Sequence, residues 1–363
     1  MGKTTVLVLF GGRSSEHSIS CISAGSILQA MDRERYEVVA VGITPQGTWV
    51  HHSGDPASLE IRDGDLPTVG QGPPVALSLS PERRGIWVEP DGGPREWFPI
   101  DVVFPVMHGP YGEDGAIQGA LEIAGIPFVG SGVFASAACM DKAHTKRLLR
   151  SAGIPSGRWQ AFHRADWDRV AQTAELAELG WPVFVKPARA GSSVGVSKVH
   201  DESGLDAAVD LAGSEDPHII VEASVEDALE IECGVLVGAD GLVRASSCAR
   251  IQVLEGHEFY DFEAKYLDDS VELIVPADID DEKVREVQRL AIEAFRALDC
   301  EGLARVDFFI DPTGAVSVNE INTMPGFTPI SMYPRMWSES GVGYPELVDV
   351  LIGEALVRAP GLR

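Results

Sequence analysis

Between Arg305 and Asn322 the chain carries a guanidinium, two carboxylates and an amide at strand spacing. Arg305 and Asp307 stand two apart in Arg-Val-Asp-Phe-Phe-Ile, and Glu320 and Asn322 stand two apart in Asn-Glu-Ile-Asn. Residues two apart on a strand point to the same face. The turn sequence Asp311-Pro312-Thr313-Gly314 separates the two runs, so a hairpin is predicted. Its chemical face would gather hard oxygen donors, which suit Mg²⁺ with water and phosphates at the remaining positions. Arg305 beside them suits a second anion or a developing negative charge. The ordinary alternative is a solvated face with a surface ion pair. Two features weigh against it. The neighbours Phe308, Phe309, Ile310 and Ile321 are apolar, and the second strand runs into Asn322-Thr-Met-Pro-Gly-Phe-Thr328, where Gly326 permits close backbone approach to a ligand.

Two other stretches carry chemistry. Trp181-Pro-Val-Phe-Val-Lys186-Pro187 reads as a strand ending on a lysine, followed by Gly191-Ser192-Ser193-Val194-Gly195. Such a loop can offer backbone N–H groups and hydroxyls to phosphates, although it is not a Walker sequence. Near the start, Thr5 to Phe10 is an apolar run of the kind that forms a buried parallel strand. Gly11-Gly-Arg-Ser-Ser-Glu16-His17 then opens a helix, which is a ready site for a small ligand. Glu16 is either a carboxylate complementing that helix N-terminus or a partner for a substrate ammonium. Asp101 to Met107 is a second buried strand. It delivers His108 at its C-terminal end, where open α/β sheets bind ligands.

The positioning elements follow from punctuation. Ala124-Gly-Ile-Pro127 and Ala152-Gly-Ile-Pro155 are twin helix stops. Asp141 is a good N-cap for the second of these helices. Lys142 in its first turn opposes the helix dipole, which hints at an anionic partner. These signals divide the chain into an N-terminal open parallel α/β domain (1–140), a central subdomain (141–222) and a C-terminal subdomain (223–363). Residues 51–98 read as loops with short strands, 255–270 as a polar and aromatic loop, and 281–298 and 344–357 as helices.

Composition narrows the classes. The chain has 363 residues, 45% hydrophobic, with a formal net charge of −26. So acidic a protein is a poor candidate for nucleic acid or an anionic membrane surface. Any phosphate site in it must be locally basic, so its few lysines in loops count for more. Five scattered cysteines without a CxxC pair suit reduced thiols and a cytoplasmic setting. No secretory segment and no run of membrane-spanning length are expected.

Taken in order, Lys142, Lys186, Gly191–Gly195, Glu222 and the Asp307, Glu320, Asn322 set resemble the ATP-grasp superfamily. Further motifs make the chain similar to the D-alanine–D-alanine ligases. These are Gly11 to Ser20, His108-Gly109 with Gly112-Glu-Asp-Gly115, Glu263-Ala-Lys265-Tyr266 and Asn322 to Thr328. The likeness runs from residue 4 to about 355. It implies an α/β fold of three-domain ATP-grasp architecture. The implied reaction is ATP-dependent joining of two D-alanines for peptidoglycan precursors, with two Mg²⁺ for which Mn²⁺ can substitute. By family analogy Lys142 and Lys186 contact ATP phosphates, with Ser192 and Ser193 in the loop over them. Glu222, Ala223 and Val225 line the adenine and Glu230 the ribose. Asp307, Glu320 and Asn322 hold the metals. Glu16, supported by Ser192 and Tyr266, takes the first ammonium. Arg305 and the Gly326 N–H form an oxyanion site. Ser331 with Lys265 holds the second carboxylate, and His108 lies near substrate. Asp227-Ala228-Leu229 stand where the family usually has Gly-Arg before the ribose residue, so Glu232 competes with Glu230 for that role. The family also suggests a homodimer. A D-Ala–D-lactate ligase and a non-catalytic nucleotide-binding module are the rival readings.

Overall fold

The computed structural model describes residues 2–62, 64–90, 92–191, 193–253 and 271–358. The N-terminal portion is built on β1 (Thr4–Gly11), α1 (His17–Ala30), β2 (Tyr36–Ile43) and β3 (Trp49–His51). Short strands β4 (Val75–Leu77), β5 (Gly85–Val88) and β6 (Glu96–Pro99) form a small antiparallel sheet within the stretch read as loops with short strands. Then come β7 (Val102–Val106), α2 (Ala116–Ala124) and α3 (Val133–Met140). The main sheet has the order β3-β2-β1-β7, with β1 parallel to both β2 and β7. Continuous apolar sequence in β1 follows from burial on both faces. Val6, Val8 and Phe10 enter one core while Leu7 and Leu9 enter another.

The middle portion starts at α4 (Lys142–Ser151), whose N-cap Asp141 accepts the His144 N–H at 3.0 Å. It continues through β8 (Trp159–His163), α5 (Arg169–Ala177), β9 (Val183–Pro187), β10 (Ser197–Val199), α6 (Leu205–Glu215) and β11 (His218–Ala223). The strands form an antiparallel sheet ordered β10-β9-β11-β8. The helix stops act as expected, with Gly125 and Gly153 at positive φ just past α2 and α4. Arg189, just beyond β9, is tied to the start of β11 by Asp216, which accepts its main-chain N–H, Nε and Nη2 and also the His218 N–H. Burial works against the Asp216 charge, but these donors win and hold its pKa below the ordinary carboxylate value of 3.8. A depressed carboxylate contributes stability that is complete above its unfolded pKa and lost as pH falls through its folded pKa. Asp216→Asn should therefore cost about 1.5–3 kcal/mol near neutrality. That gap, read from urea unfolding, should close as the medium is acidified below the ordinary carboxylate range.

The C-terminal portion comprises β12 (Leu229–Val237), β13 (Val243–Val253), β14 (Val271–Ile274), α7 (Asp281–Ala297), β15 (Leu303–Ile310), β16 (Val316–Asn322), α8 (Met332–Glu339) and α9 (Tyr344–Val357). Its antiparallel sheet runs β14-β13-β12-β15-β16. Val287, Leu290, Ala291, Ala294 and Phe295 of α7 pack beneath it with Val306, Phe308 and Ile310. The opposite face of β15 keeps Arg305 and Asp307 partly exposed. All five cysteines are buried and free. No helix among the described residues is long and apolar enough to cross a membrane.

Candidate active site

The β15–β16 hairpin forms as the sequence predicts. Asp311 closes its turn by accepting the Thr313 and Ala315 N–H groups, and Gly314 takes φ 85°. Its register sets Arg305 opposite Asn322 and Asp307 opposite Glu320. Arg305 grips Asp307 with both fork positions, Nε–Oδ1 and Nη2–Oδ2 at 2.7 Å each. Arg305 Nε also lies 3.2 Å from Glu232, which the β12–β15 register sets opposite Asp307. Burial opposes the Arg305 charge, yet Asp307 and Glu232 outweigh it and hold the guanidinium well above its ordinary pKa. Asn322 Nδ2 donates to Asp307 at 3.0 Å, and Lys142 Nζ stands 3.4 Å from Glu320. Among the described residues no three His, Cys, Asp or Glu side chains cluster as a metal site. The oxygen set reaches three through the Asn322 amide, a donor set that fits a Mg²⁺ sharing its shell with water and phosphate.

This patch forms one wall of a cavity of about 730 Å³. Lys142 and Lys186 enter from the middle portion. Lys142 bonds the Ala190 carbonyl at 3.1 Å, so it also tethers the glycine-rich loop. Lys186 pairs with Glu222 at 3.1 Å, and Glu222 is 3.5 Å from the buried Lys146. Burial disfavours the Glu222 charge, but Lys146 and Lys186 overcome that and lower its pKa. Burial pushes the Lys146 pKa down, with Glu222 opposing. Ala223, Val225, Glu230 and Ser193 line the same cavity. Ser193 holds φ 57°, a left-handed conformation uncommon outside glycine.

Another part of the cavity wall is assembled from both ends of the chain. Glu16 sits at the α1 N-cap but makes no side-chain capping bond. Its carboxylate instead lies between two glycine loops: a Cβ at Gly191 would fall 3.0 Å from Oε2, and one at Gly109 would fall 3.3 Å away. His108 is buried, and its Nδ1 donates to the Met324 carbonyl at 2.9 Å. Burial lowers the His108 pKa, against the pull of Glu16. Gly326 and Ser331 adjoin, since a Cβ at Gly326 would meet Ser331 Oγ at 3.2 Å. Thr328 donates its N–H to that hydroxyl at 3.1 Å. The loop between β16 and α8 is anchored by Phe327, whose ring is fully buried. Phe327 donates its N–H to Ser23 Oγ, and its carbonyl accepts the Tyr344 hydroxyl.

Ser192, Lys265 and Tyr266 lie outside the described residues. The other expected site residues meet around the one cavity. Three more were not singled out from sequence: Lys146, Glu113 and, as a partner of Arg305, Glu232. A repeat was visible for Lys146, four residues after Lys142 on the same helix. Glu113 stood within the Gly112-Glu-Asp-Gly115 motif, but no role was assigned to it.

Family models for the D-ala D-ala ligase N-terminus and C-terminus match residues 5–131 and 148–353. The D-alanine--D-alanine ligase of Mycobacterium avium (strain 104) is 55% identical over 368 residues, covering 99% of each chain. That of Mycolicibacterium smegmatis is 53% identical, covering 100% of this chain and 98% of the relative. Among solved structures, the VanG D-Ala:D-Ser ligase from Enterococcus faecalis superposes with a TM-score of 0.85 at 35% identity, covering 98% of this chain and 100% of the other. The D-alanine-D-alanine ligase from Coxiella burnetii gives 0.83 at 33% identity, covering 98% and 94%. Models for both halves match, and identity of this order extends over the whole length. The chain therefore belongs to the D-alanine–D-alanine ligase family.

Proposed function

We propose that this chain joins two D-alanines to D-alanyl-D-alanine, with ATP converted to ADP, as a step of peptidoglycan synthesis. The observation that carries the reading is one cavity lined by Glu16, by Arg305, Asp307, Glu320 and Asn322, and by Lys142 and Lys186. One end suits an ammonium, the other suits polyphosphate, and the carboxylate to be activated falls between them.

Glu16 holds the ammonium of the first D-alanine and aims its carboxylate inward. A carboxylate is a poor acceptor for an amine because oxide is a hopeless leaving group. It therefore takes the γ-phosphoryl group, giving an acyl phosphate. Lys142 and Lys186 neutralise charge on the phosphates during this transfer. Asp307, Glu320 and Asn322 would hold Mg²⁺, and Mn²⁺ as a substitute, which supplies further charge neutralisation on the phosphoryl oxygens. The second D-alanine, its carboxylate near Ser331, attacks the acyl carbon through its amine, and phosphate leaves. Arg305 and the Gly326 N–H stabilise the oxyanion of the tetrahedral intermediate. Glu222, Ala223 and Val225 form the adenine wall. Commitment of Glu232 to Arg305 supports Glu230 as the ribose partner. Lys265, Tyr266 and Ser192 are assigned to lid closure over the reacting groups, which protects the acyl phosphate from water. A homodimer acting in the cytoplasm completes the reading.

ADP release coupled to a spectrophotometric readout tests it. ADP should appear with D-alanine and ATP together and with neither alone. The choice of second substrate is tested by equimolar competition at neutral pH, with D-alanyl-D-alanine expected as the main product over D-lactate or D-serine adducts. Mainly depsipeptide, or mainly D-alanyl-D-serine, would reassign the second subsite.

A further inference from the structure

A continuous line of hydrogen bonds joins the first amino-acid site to the loop carrying Gly326. The Glu16 N–H donates to Ser14 Oγ at 3.1 Å. The Ser14 hydroxyl donates to the His108 carbonyl at 2.8 Å. His108 Nδ1 donates to the Met324 carbonyl at 2.9 Å. The Met324 N–H is in turn accepted by Glu113 Oε1 at 3.3 Å, and Glu113 Oε2 accepts the Gly109 N–H at 2.7 Å. Two side chains of one N-terminal loop thus hold both polar groups of a single residue, two positions before Gly326. Nothing else in the proposed mechanism uses Glu113 or Ser14.

We propose that Ser14, His108 and Glu113 are positioning residues that couple occupancy of the Glu16 site to the placement of the Gly326 N–H for the amine-attack step. The inference rests on the reading of Gly326 as an oxyanion donor. The physical demand is plain. An oxyanion donor acts through geometry, and a shift of about 1 Å can cost about 10²-fold in rate. Gly326 has no side chain to hold it, so its place is set by what grips the residues on either side. Phe327 is fixed from α1 and α9, and Met324 is fixed by His108 and Glu113. Electrostatics add a direction to the coupling. Burial and then the nearby Glu16 charge push the Glu113 pKa up to about 8. A substrate ammonium at Glu16 offsets that charge and favours the ionised carboxylate, whose two oxygens both accept N–H groups.

The test uses the full chain, ATP, Mg²⁺ and D-alanine, above the Glu113 pKa of about 8. Glu113→Ala removes both acceptors, and Ser14→Ala breaks the link to Glu16 at a partly exposed position that leaves the core intact. Dipeptide kcat should fall about 10²-fold for Glu113→Ala and about tenfold for Ser14→Ala. The KM for the first D-alanine should change by less than about threefold. Because acyl phosphate forms but waits for its amine, ADP released per dipeptide should rise above the ratio of the unaltered enzyme. Thermal unfolding separates a folding defect from this result, and Ser14→Ala keeps the question open to test if Glu113→Ala unfolds. Loss of ADP and dipeptide in equal proportion in both variants would overturn the coupling, as would unchanged kcat in both. If the unaltered protein forms no ADP with D-alanine, the reading beneath it fails first.

Discussion

Glu320→Gln is expected to lower dipeptide kcat by about 10³-fold or more while leaving the melting temperature unchanged or slightly raised. Glu320 sits directly opposite Asp307 on the neighbouring strand, and like charges across a ladder repel. Its partner on the cavity side is Lys142 at 3.4 Å, with both side chains partly exposed, so the pair contributes little to folding. Removing the charge thus relieves repulsion from Asp307 and Glu113 and weakens attraction to Lys142, Arg305 and Lys146, effects of opposite sign. For turnover the balance is different. Polyphosphate and the moving phosphoryl group need cations beside them, and a neutral amide at 320 holds these far less well. Asn322→Asp adds charge to the same patch and should be milder. Activity titrated against Mg²⁺ concentration separates the two. Glu320→Gln should demand far more metal and never regain the original rate. Equal and slight losses in both variants would remove the metal assignment.

Much of this arrangement was legible in the sequence, for reasons that differ from residue to residue. The β15–β16 hairpin was readable because its turn chemistry is local and strand alternation fixes which side chains share a face. The buried strands β1 and β7 were readable because burial on both faces leaves no polar position in the run. What escaped depends on contacts between residues far apart in the chain. Lys146 lies in Lys142-Ala-His-Thr-Lys146, which reads as a solvated helix face. It is buried, with Glu222 of β11 3.5 Å from its ammonium. Glu113 stands in a loop of turn residues, and its use depends on Met324 arriving from the other end of the chain. Glu232 competed with Glu230 as a ribose candidate because the family's Gly-Arg is missing before Glu230. Its ion pair with Arg305 depends on the pairing of β12 with β15, which sets it opposite Asp307 and 3.2 Å from Arg305. Residues 51–98 read as loops with short strands, but the pairing of β4, β5 and β6 into one sheet was not legible because each strand is only three or four residues long. Windows that short carry little periodicity.

Arg305→Met is expected to lower both stability and activity, and in this it should differ from Glu320→Gln. Arg305 is the positive member of a largely buried cluster whose other members, Asp307 and Glu232, are both acidic. Methionine fills similar space but leaves two carboxylates without their cation. Breaking a buried ion pair by removing one partner costs about 3–5 kcal/mol, most of it the uncompensated charge that remains. The same change deletes a donor to the oxyanion, worth about 10²–10³-fold in kcat. Arg305→Lys separates the two roles. Its ammonium restores the charge, so most of the stability should return. It cannot reproduce the fork that meets both Asp307 oxygens while also facing Glu232, so activity should stay well below that of the unaltered enzyme. Denaturant unfolding and steady-state kinetics on the three proteins decide the matter. If Arg305→Lys recovered full activity, a point charge would be enough at this position and the oxyanion role would belong to Gly326 alone. If Arg305→Met kept full stability, the two carboxylates would have to be compensated from elsewhere in the site, for instance by Lys142, which stands 3.4 Å from Glu320.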